Sequence, residues 1–189
     1  MSRFSLLFIP LLLVSIGIGL SGCFGLGSRS TPSEYQLLTA RATTNSMATM
    51  TDKSIGVGPV NIAQFLRRPQ LVTHGGGSQL QISDSKRWGE PLEQGIQRVL
   101  LQNIATLTGA ETRNFPWRQN ATPDYALRID VIDLDKLSNG DAILDVNWLV
   151  EDLKNSRVLK TQQERITASN YDELFARLAQ HVVVALGGG

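Results

Sequence analysis

Three kinds of side chain in this 189-residue sequence could do chemistry: one cysteine, two histidines and a short series of aspartates. His74 is followed by three glycines, and His181 lies between apolar residues in a helical pattern. The sequence has no His-x-x-x-His or Glu-x-x-His pair, so the histidines do not form a zinc motif. Asp130, Asp133 and Asp135 lack the spacing of an EF-hand loop and are typical of a solvated strand face. We therefore expect no catalytic residues, no metal site and no enzymatic activity.

The cysteine, Cys23, indicates a different chemistry because it ends an apolar segment. Arg3 supplies a basic start and residues 4–20 an apolar core, and two small residues precede Cys23, as at a signal-peptide cleavage site. The run Leu20-Ser21-Gly22-Cys23 resembles the lipobox of bacterial lipoproteins. That resemblance implies that residues 1–22 are a signal peptide and that Cys23 becomes the lipidated first residue. The alternatives are a transmembrane helix, which normally needs about 20 residues, and a secreted protein whose cysteine is incidental.

Residues 23–33 would connect this anchor to the folded domain. Their Gly, Ser, Thr and Pro content predicts a flexible tether that reaches about 40 Å when fully extended. The covalent diacylglycerol and N-acyl chain on Cys23 would hold the protein permanently, and no other cofactor is expected. In enterobacteria-like lipoproteins an aspartate after the cysteine retains the protein in the inner membrane, whereas this chain has Phe24. We therefore expect an outer-membrane lipoprotein that faces the periplasm.

Composition fits one domain, residues 34–189, and argues against a nucleic-acid partner. Removal of residues 1–22 leaves 167 residues, a usual size for a single domain. The removed segment contains one of the 18 basic residues and none of the 17 acidic ones, so the mature chain would carry no net charge. A nucleic-acid-binding domain has a basic surplus instead.

Period-two alternation predicts two groups of β-strands. In the first group, Pro69 marks an edge strand, and Gly56 and Gly58 suit a strand face that neighbouring backbone approaches closely. The second group is an antiparallel meander with one solvent-exposed face, in which Asn139-Gly140 predicts a hairpin turn. The predicted strands are Tyr35–Leu38, Ile55–Val60, Pro69–Thr73, 80–82, a short strand after 110, 125–131, 144–150 and 158–166.

Two amphipathic helices complete the predicted domain. The first begins near Glu90, carries one apolar stripe and ends at Gly109, a typical C-terminal cap. The second follows Ser169, which forms a capping-box pattern with Asp172, and has apolar residues at every fourth position. The expected fold is α+β, with a mostly antiparallel, mixed sheet and two helices packed on one face.

Large residues in predicted loops are the remaining candidates for function. Phe65, Arg67 and Arg68 lie between two short strands, and Trp88 precedes the first helix. Trp and Arg are enriched where proteins bind each other, so these four residues are candidates for a partner interface. The alternative is that Phe65 and Trp88 plug the ends of the core, and the sequence leaves both interpretations open.

Three sequence blocks resemble one known family. They are Gly56-Val57-Gly58-Pro59-Val60, the segment from Phe65 to Thr73 that contains Arg68-Pro69-Gln70, and Trp88-Gly89-Glu90-Pro91-Leu92. With the lipobox and Tyr35-Gln36-Leu37-Leu38, they resemble the PqiC family of membrane-integrity transport lipoproteins from about Cys23 to Leu186. His74 and the three glycines after it depart from the family pattern.

The resemblance implies a non-enzymatic periplasmic subunit that docks on an MCE-domain protein. That partner would form a tube that conducts phospholipid between the two membranes. Because such a tube is symmetric, a ring-like homo-oligomer of this subunit is the assembly that fits it. Two other functions stay open at this point: a lipoprotein that activates cell-wall synthesis, and one that assists outer-membrane assembly. Either would use the same anchor and domain with a different partner.

Overall fold

The computed structural model describes residues 32–41, 49–75 and 78–187. The predicted signal peptide, Cys23 and most of the tether lie outside these residues, so what was expected of them stays a prediction. The described chain contains eight β-strands and two α-helices. In chain order they are β1 Glu34–Gln36, β2 Ser54–Ile62, β3 Gln70–His74, β4 Leu80–Trp88, α1 Leu92–Thr108, β5 Glu111–Asn114, β6 Tyr125–Lys136, β7 Ala142–Asp152, β8 Arg157–Ala168 and α2 Tyr171–Gly187.

The strands form two sheets rather than one. A three-stranded sheet has the order β1-β4-β3, and a five-stranded sheet has the order β5-β2-β6-β7-β8. In the larger sheet β2 runs parallel to both of its neighbours, whereas β6, β7 and β8 form the predicted antiparallel meander. The α+β class with mixed strand pairing is confirmed, and so is the edge position of β3.

Helix α1 forms where its apolar stripe predicts it. Pro91 precedes the helix and Glu93 lies in its first turn, where a carboxylate interacts favourably with the helix dipole. Gly109, at φ 69°, closes the helix in the left-handed conformation that favours glycine. Burial of each large apolar side chain contributes about 1.5–3 kcal/mol, so packing holds the helix in place. Its inward residues, each at most 4% exposed, are Leu92, Ile96, Val99, Leu100, Ile104 and Leu107.

Helix α2 is capped by Asn170, not by Ser169 as predicted. Asn170 Oδ1 accepts a hydrogen bond of 2.9 Å from the main-chain N–H of Glu173, while Ser169 Oγ donates to the Glu173 carboxylate. Asp172, expected to complete the cap, accepts a hydrogen bond from the main-chain N–H of Thr39 instead. Asn and Ser are equally good caps and stand side by side here, so the pattern alone could not choose between them.

The helices pack side by side against one face of the five-stranded sheet, and the loop after β5 lies against part of the other face, which is otherwise open. Alternate residues of β7 point towards the helices and are buried, and the residues between them are only half-buried. On the open face, polar residues lie in register across four strands, which confirms the predicted solvent-exposed face. These residues are Asn61, Asp130, Asn147 and Gln163.

The space beside the two glycines of β2 is occupied by neighbouring side chains rather than by backbone. A Cβ at Gly56 would lie 2.6 Å from Pro123 Cγ and 2.7 Å from the Trp117 ring. Gly58 has φ 125°, and a Cβ there would lie 2.5 Å from Phe115 Cβ. The predicted close approach is therefore present, but the loop after β5 causes it.

Candidate partner-binding cleft

An open cleft of about 460 Å³ brings together three of the four predicted interface residues. One wall is Leu66–Pro69, which includes the end of a short 3-10 turn, Gln64–Leu66. The other wall runs from Trp88 to Glu93, from the end of β4 to the first turn of α1. The main-chain N–H of Trp88 donates to the Pro69 carbonyl at 2.7 Å and so joins the two walls. Backbone pairing therefore fixes the shape of the cleft.

Trp88 is a core residue, and its predicted place in a loop is wrong. It ends β4, is 8% exposed, and its ring centroid lies 5.3 Å from that of Tyr171. Strand β4 continues this far because β1 pairs with its last residues, with Gln36 opposite Trp88. That pairing joins segments about 50 residues apart in the sequence, which a local pattern does not reveal. The indole thus contributes to the floor of the cleft and offers little surface of its own.

Phe65 lies beside the cleft, not in its lining. Its side chain is half-buried against the core, and its ring centroid lies 6.4 Å from that of His74. The Phe65 carbonyl accepts a hydrogen bond of 3.0 Å from Arg68 Nε. The Phe65 ring thus packs against the core with part of its surface exposed, and its link to the cleft is this bond to Arg68.

Two arginines give the cleft a positively charged rim. Arg67 Nε lies 3.5 Å from Glu93 Oε1, and the Arg67 side chain is 47% exposed. Arg68 is exposed and has no carboxylate partner in the part of the chain that the structure describes. Glu90, on the opposite wall, is neutralised by an ion pair with Arg98. The guanidinium of Arg68 thus leaves uncompensated positive charge at the rim.

The lining between these charges is mostly apolar. It consists of Leu66, Pro69, Trp88, Pro91 and Leu92. A cleft with an apolar floor and a guanidinium that has no carboxylate partner can bind an apolar side chain that has a carboxylate next to it. Within residues 32–41, 49–75 and 78–187, no group of His, Cys, Asp and Glu side chains is arranged to hold a metal ion.

The aspartate series divides between two environments. Asp130 is on the open face and accepts a hydrogen bond of 2.7 Å from Asn61 Nδ2. Asp133 Oδ2 and Asp135 Oδ2 lie 3.6 and 3.2 Å from the two nitrogens of the His74 ring, and Asp135 also accepts a bond from the His74 main-chain N–H. Burial raises the pKa of the Asp133 carboxyl. The prediction of a solvated face is wrong for Asp133 and Asp135, because β3 contacts this part of β6.

His181 is a helix-side residue, as predicted. Its Nδ1 lies 2.8 Å from Glu164 Oε2, and the other oxygen of Glu164 accepts a hydrogen bond of 2.6 Å from Trp148 Nε1. This set joins α2 to β7 and β8.

Of the helices that the structure describes, none is long and apolar enough to cross a bilayer.

Comparison with known proteins identifies a family and a shared fold. A family model described as the ABC-type transport auxiliary lipoprotein component matches residues 35–186. The crystal structure of protein XCC0632 from Xanthomonas campestris is 14% identical, with a TM-score of 0.68 over 80% of this chain and 93% of that chain. A second solved structure, of an uncharacterized protein, is 18% identical, with a TM-score of 0.60 over 84% and 100% of the two chains. The PelC dodecamer from Paraburkholderia phytofirmans is 14% identical, with a TM-score of 0.47 over 78% and 97%. No curated protein matches the chain.

Proposed function

This chain belongs to the family of ABC-type transport auxiliary lipoprotein components, and from that premise we propose that it is the non-catalytic docking subunit of an intermembrane phospholipid transport complex. The family match includes both walls of the cleft and confirms the family resemblance of the sequence blocks. We take the class of the partner, an MCE-domain protein, from the resemblance to the PqiC family. The observation that carries the docking role is the cleft with its apolar floor and charged rim.

The proposed contact is specific in its chemistry. An apolar side chain of the MCE-domain protein would lie on the floor beside Trp88 and Leu92, out of water. A carboxylate next to it would pair with the two terminal nitrogens of Arg68, whose Nε donates to the Phe65 carbonyl, in the bidentate geometry that Arg and carboxylate groups favour. Arg67 would add a weaker attraction, because Glu93 already compensates its charge.

The proposed anchor is Cys23, with diacylglycerol on its thiol and an acyl chain on its amino group, in the outer membrane. Mass spectrometry of the mature N-terminal peptide tests it. We expect a first residue that carries three acyl chains, and an unmodified Cys23 would refute the anchor.

We further propose a ring of identical subunits, because a symmetric tube is most simply capped by a closed ring. Native mass spectrometry of the detergent-extracted protein should show one closed oligomer, and a monomer would refute the ring.

The docking role is tested by site-specific crosslinking in the cells that make the protein. A photo-reactive amino acid at position 68 should crosslink to an MCE-domain protein. The matched control is the same group at position 163, where Gln163 lies on the open face of the large sheet and should give no such product. Recovery of a cell-wall synthase or an outer-membrane barrel protein at position 68, in place of the MCE-domain protein, would refute our proposal in favour of one of the two other functions.

Charge reversal gives a second test of the same contact. The change Arg68→Glu should reduce recovery of the partner by about tenfold or more, since it replaces an attraction by a repulsion across the interface. The melting temperature should stay within about 2 °C of the wild-type value, because exposed side chains contribute little to stability. Arg118→Glu, a change at another exposed arginine, is the control and should leave recovery unchanged.

A further inference from the structure

A second pocket, of about 390 Å³, lies where the three-stranded sheet meets the end of β6 and the start of α2. It shares no residue with the docking cleft. Strands β1, β3, β4 and β6 and helix α2 all contribute to its lining. The lining residues are Gln36, Leu71, Thr73, Gln81, Ile82, Ser83, Lys86, Lys136 and Tyr171.

The pocket presents two ammonium groups and no carboxylate. Neither Lys86 nor Lys136 forms a side-chain ion pair with any residue that the structure describes, and Lys136 Nζ lies 5.8 Å from the centroid of the Tyr171 ring. Asp135 is close by, but its carboxylate accepts hydrogen bonds from the main-chain N–H groups of His74 and Lys136, at 3.0 and 2.7 Å. Two free cations in one pocket attract an anion.

Tyr171 offers a neutral donor to the same pocket. The residue is 2% exposed, yet its hydroxyl has no hydrogen-bond partner within the described part of the chain. Burial raises the pKa of the Tyr171 phenol and the charge of Asp135 raises it further, so the hydroxyl keeps its proton. The hydroxyl is therefore available to donate a hydrogen bond to a ligand acceptor in the pocket.

The pocket also has apolar surface at its edge. Ile82, which belongs to the lining, is 47% exposed, and Leu80, two residues earlier on β4, is 39% exposed. Residues two apart on a strand point to the same side, so Leu80 extends the apolar surface of Ile82. The lining also includes the polar residues Thr73, Gln81 and Ser83. The pocket is thus amphipathic.

We propose that this pocket binds a phosphate group, held by the ammonium groups of Lys86 and Lys136 and by the hydroxyl of Tyr171. A phospholipid headgroup and free phosphate both supply such a group, and the apolar surface of Leu80 and Ile82 would favour the lipid. The site goes beyond the docking function and needs no MCE-domain partner. Its failure would leave the docking proposal unaffected.

Isothermal titration calorimetry on the purified mature protein in a nonionic detergent tests the site. The two ligands are dihexanoyl phosphatidylglycerol and, in a separate titration, inorganic phosphate. The double variant Lys86→Gln/Lys136→Gln should bind the phosphate group about 100-fold more weakly, at about tenfold per lost charge-assisted hydrogen bond. Tyr171→Phe should weaken binding by about tenfold or less. Lys160→Gln, a change of the same type at an exposed lysine outside the pocket, should have no effect.

The two titrations distinguish a lipid headgroup from free phosphate as the ligand of the pocket. Binding of phosphatidylglycerol that is tighter than that of phosphate, and is lost in the double variant, supports a lipid headgroup site. Equal affinity for both ligands, with the same loss, supports a site for phosphate alone. Wild-type protein that binds neither ligand at millimolar concentration would overturn the proposal, and so would a double variant that binds as the wild type does.

Discussion

Asp124 joins three parts of the large sheet, and Asp124→Asn tests the electrostatics that hold them. The carboxylate precedes β6 and accepts two hydrogen bonds from Ser54, the first residue of β2: one of 2.7 Å from the main-chain N–H and one of 2.9 Å from the hydroxyl. It also forms an ion pair with Lys154 in the turn between β7 and β8. Lys154 is the main reason that the pKa of Asp124 is lowered to about 2, and the two bonds from Ser54 add to the effect.

The magnitude follows from this lowering of the pKa. A change from 3.8 to about 2 corresponds to roughly 2 kcal/mol, since each pKa unit is worth about 1.4 kcal/mol. The Lys154 side chain is 71% exposed, so water and salt screen the pair, and we expect Asp124→Asn to lower the free energy of unfolding at pH 7 by about 1–2 kcal/mol. Because the folded pKa lies below the unfolded value, this stabilisation is complete above about pH 5 and is lost as the pH falls towards 2.

Urea unfolding, followed by tryptophan fluorescence at pH 7, 5, 3 and 2, measures the difference between wild type and variant. The difference should shrink between pH 5 and pH 2. Asp84→Asn is the matched control, because Asp84 is exposed on β4 and forms no ion pair with another described residue; its effect should stay below about 0.5 kcal/mol throughout. A difference for Asp124→Asn that is as large at pH 2 as at pH 7 would refute the electrostatic explanation.

Three further substitutions test features of packing and burial. Trp88→Ala should lower the free energy of unfolding by about 3–5 kcal/mol, as expected for a buried indole, and a loss below 1 kcal/mol in urea unfolding would contradict its place in the core. Gly58→Ala should cost more than Gly140→Ala in the same assay: both glycines have positive φ, but a Cβ at Gly58 would lie 2.5 Å from Phe115 Cβ, whereas a Cβ at Gly140 has no neighbour within 4 Å. Asp133→Asn should raise the melting temperature at pH 7 by about 1–2 °C, because burial raises the pKa of this carboxyl and disfavours its charge in the folded state. That gain should shrink as the pH falls and vanish below about pH 3, where the carboxyl is protonated in both states, and a gain that persists there would contradict the assignment.

The sequence predicts those elements that local patterns decide. Helix α1 follows its apolar stripe, and Gly109 ends it because the left-handed cap favours glycine. The hairpin between β6 and β7 turns at Gly140, which has φ 94°, as the Asn-Gly pair predicts. In both cases the information lies within a few residues of the feature that it determines.

Features that depend on pairing between segments far apart in the sequence could not be predicted from local patterns. The length of β4, and with it the burial of Trp88, depends on pairing with β1. A register shift between Val131 and Asp133 changes the pairing near the end of β6, where Asp135 meets His74. Each of these depends on where one strand lies beside another.

The two candidate sites also differ in whether a local sequence pattern marks them. Arg67 and Arg68 are predictable from the sequence, because adjacent large residues in a predicted loop suggest a contact surface, and the structure places both on the cleft rim. The pocket of Lys86 and Lys136 had no sequence signal, because the two lysines are 50 positions apart and belong to different sheets. Only the packing of the two sheets brings them together.

The place of β2 between β5 and β6 has a consequence for the order of folding. The meander β6-β7-β8 consists of hairpins between neighbouring segments, which close short loops and form quickly. Strand β2 must find β6 across about 70 residues of intervening chain, as the bond from Ser54 to Asp124 shows, and closure of so long a loop has a higher entropic cost. We therefore expect β2 to join the sheet late. A nascent chain that lacks residues after 124 has no β6 for this strand, so the sheet closes only when the C-terminal third of the chain is present.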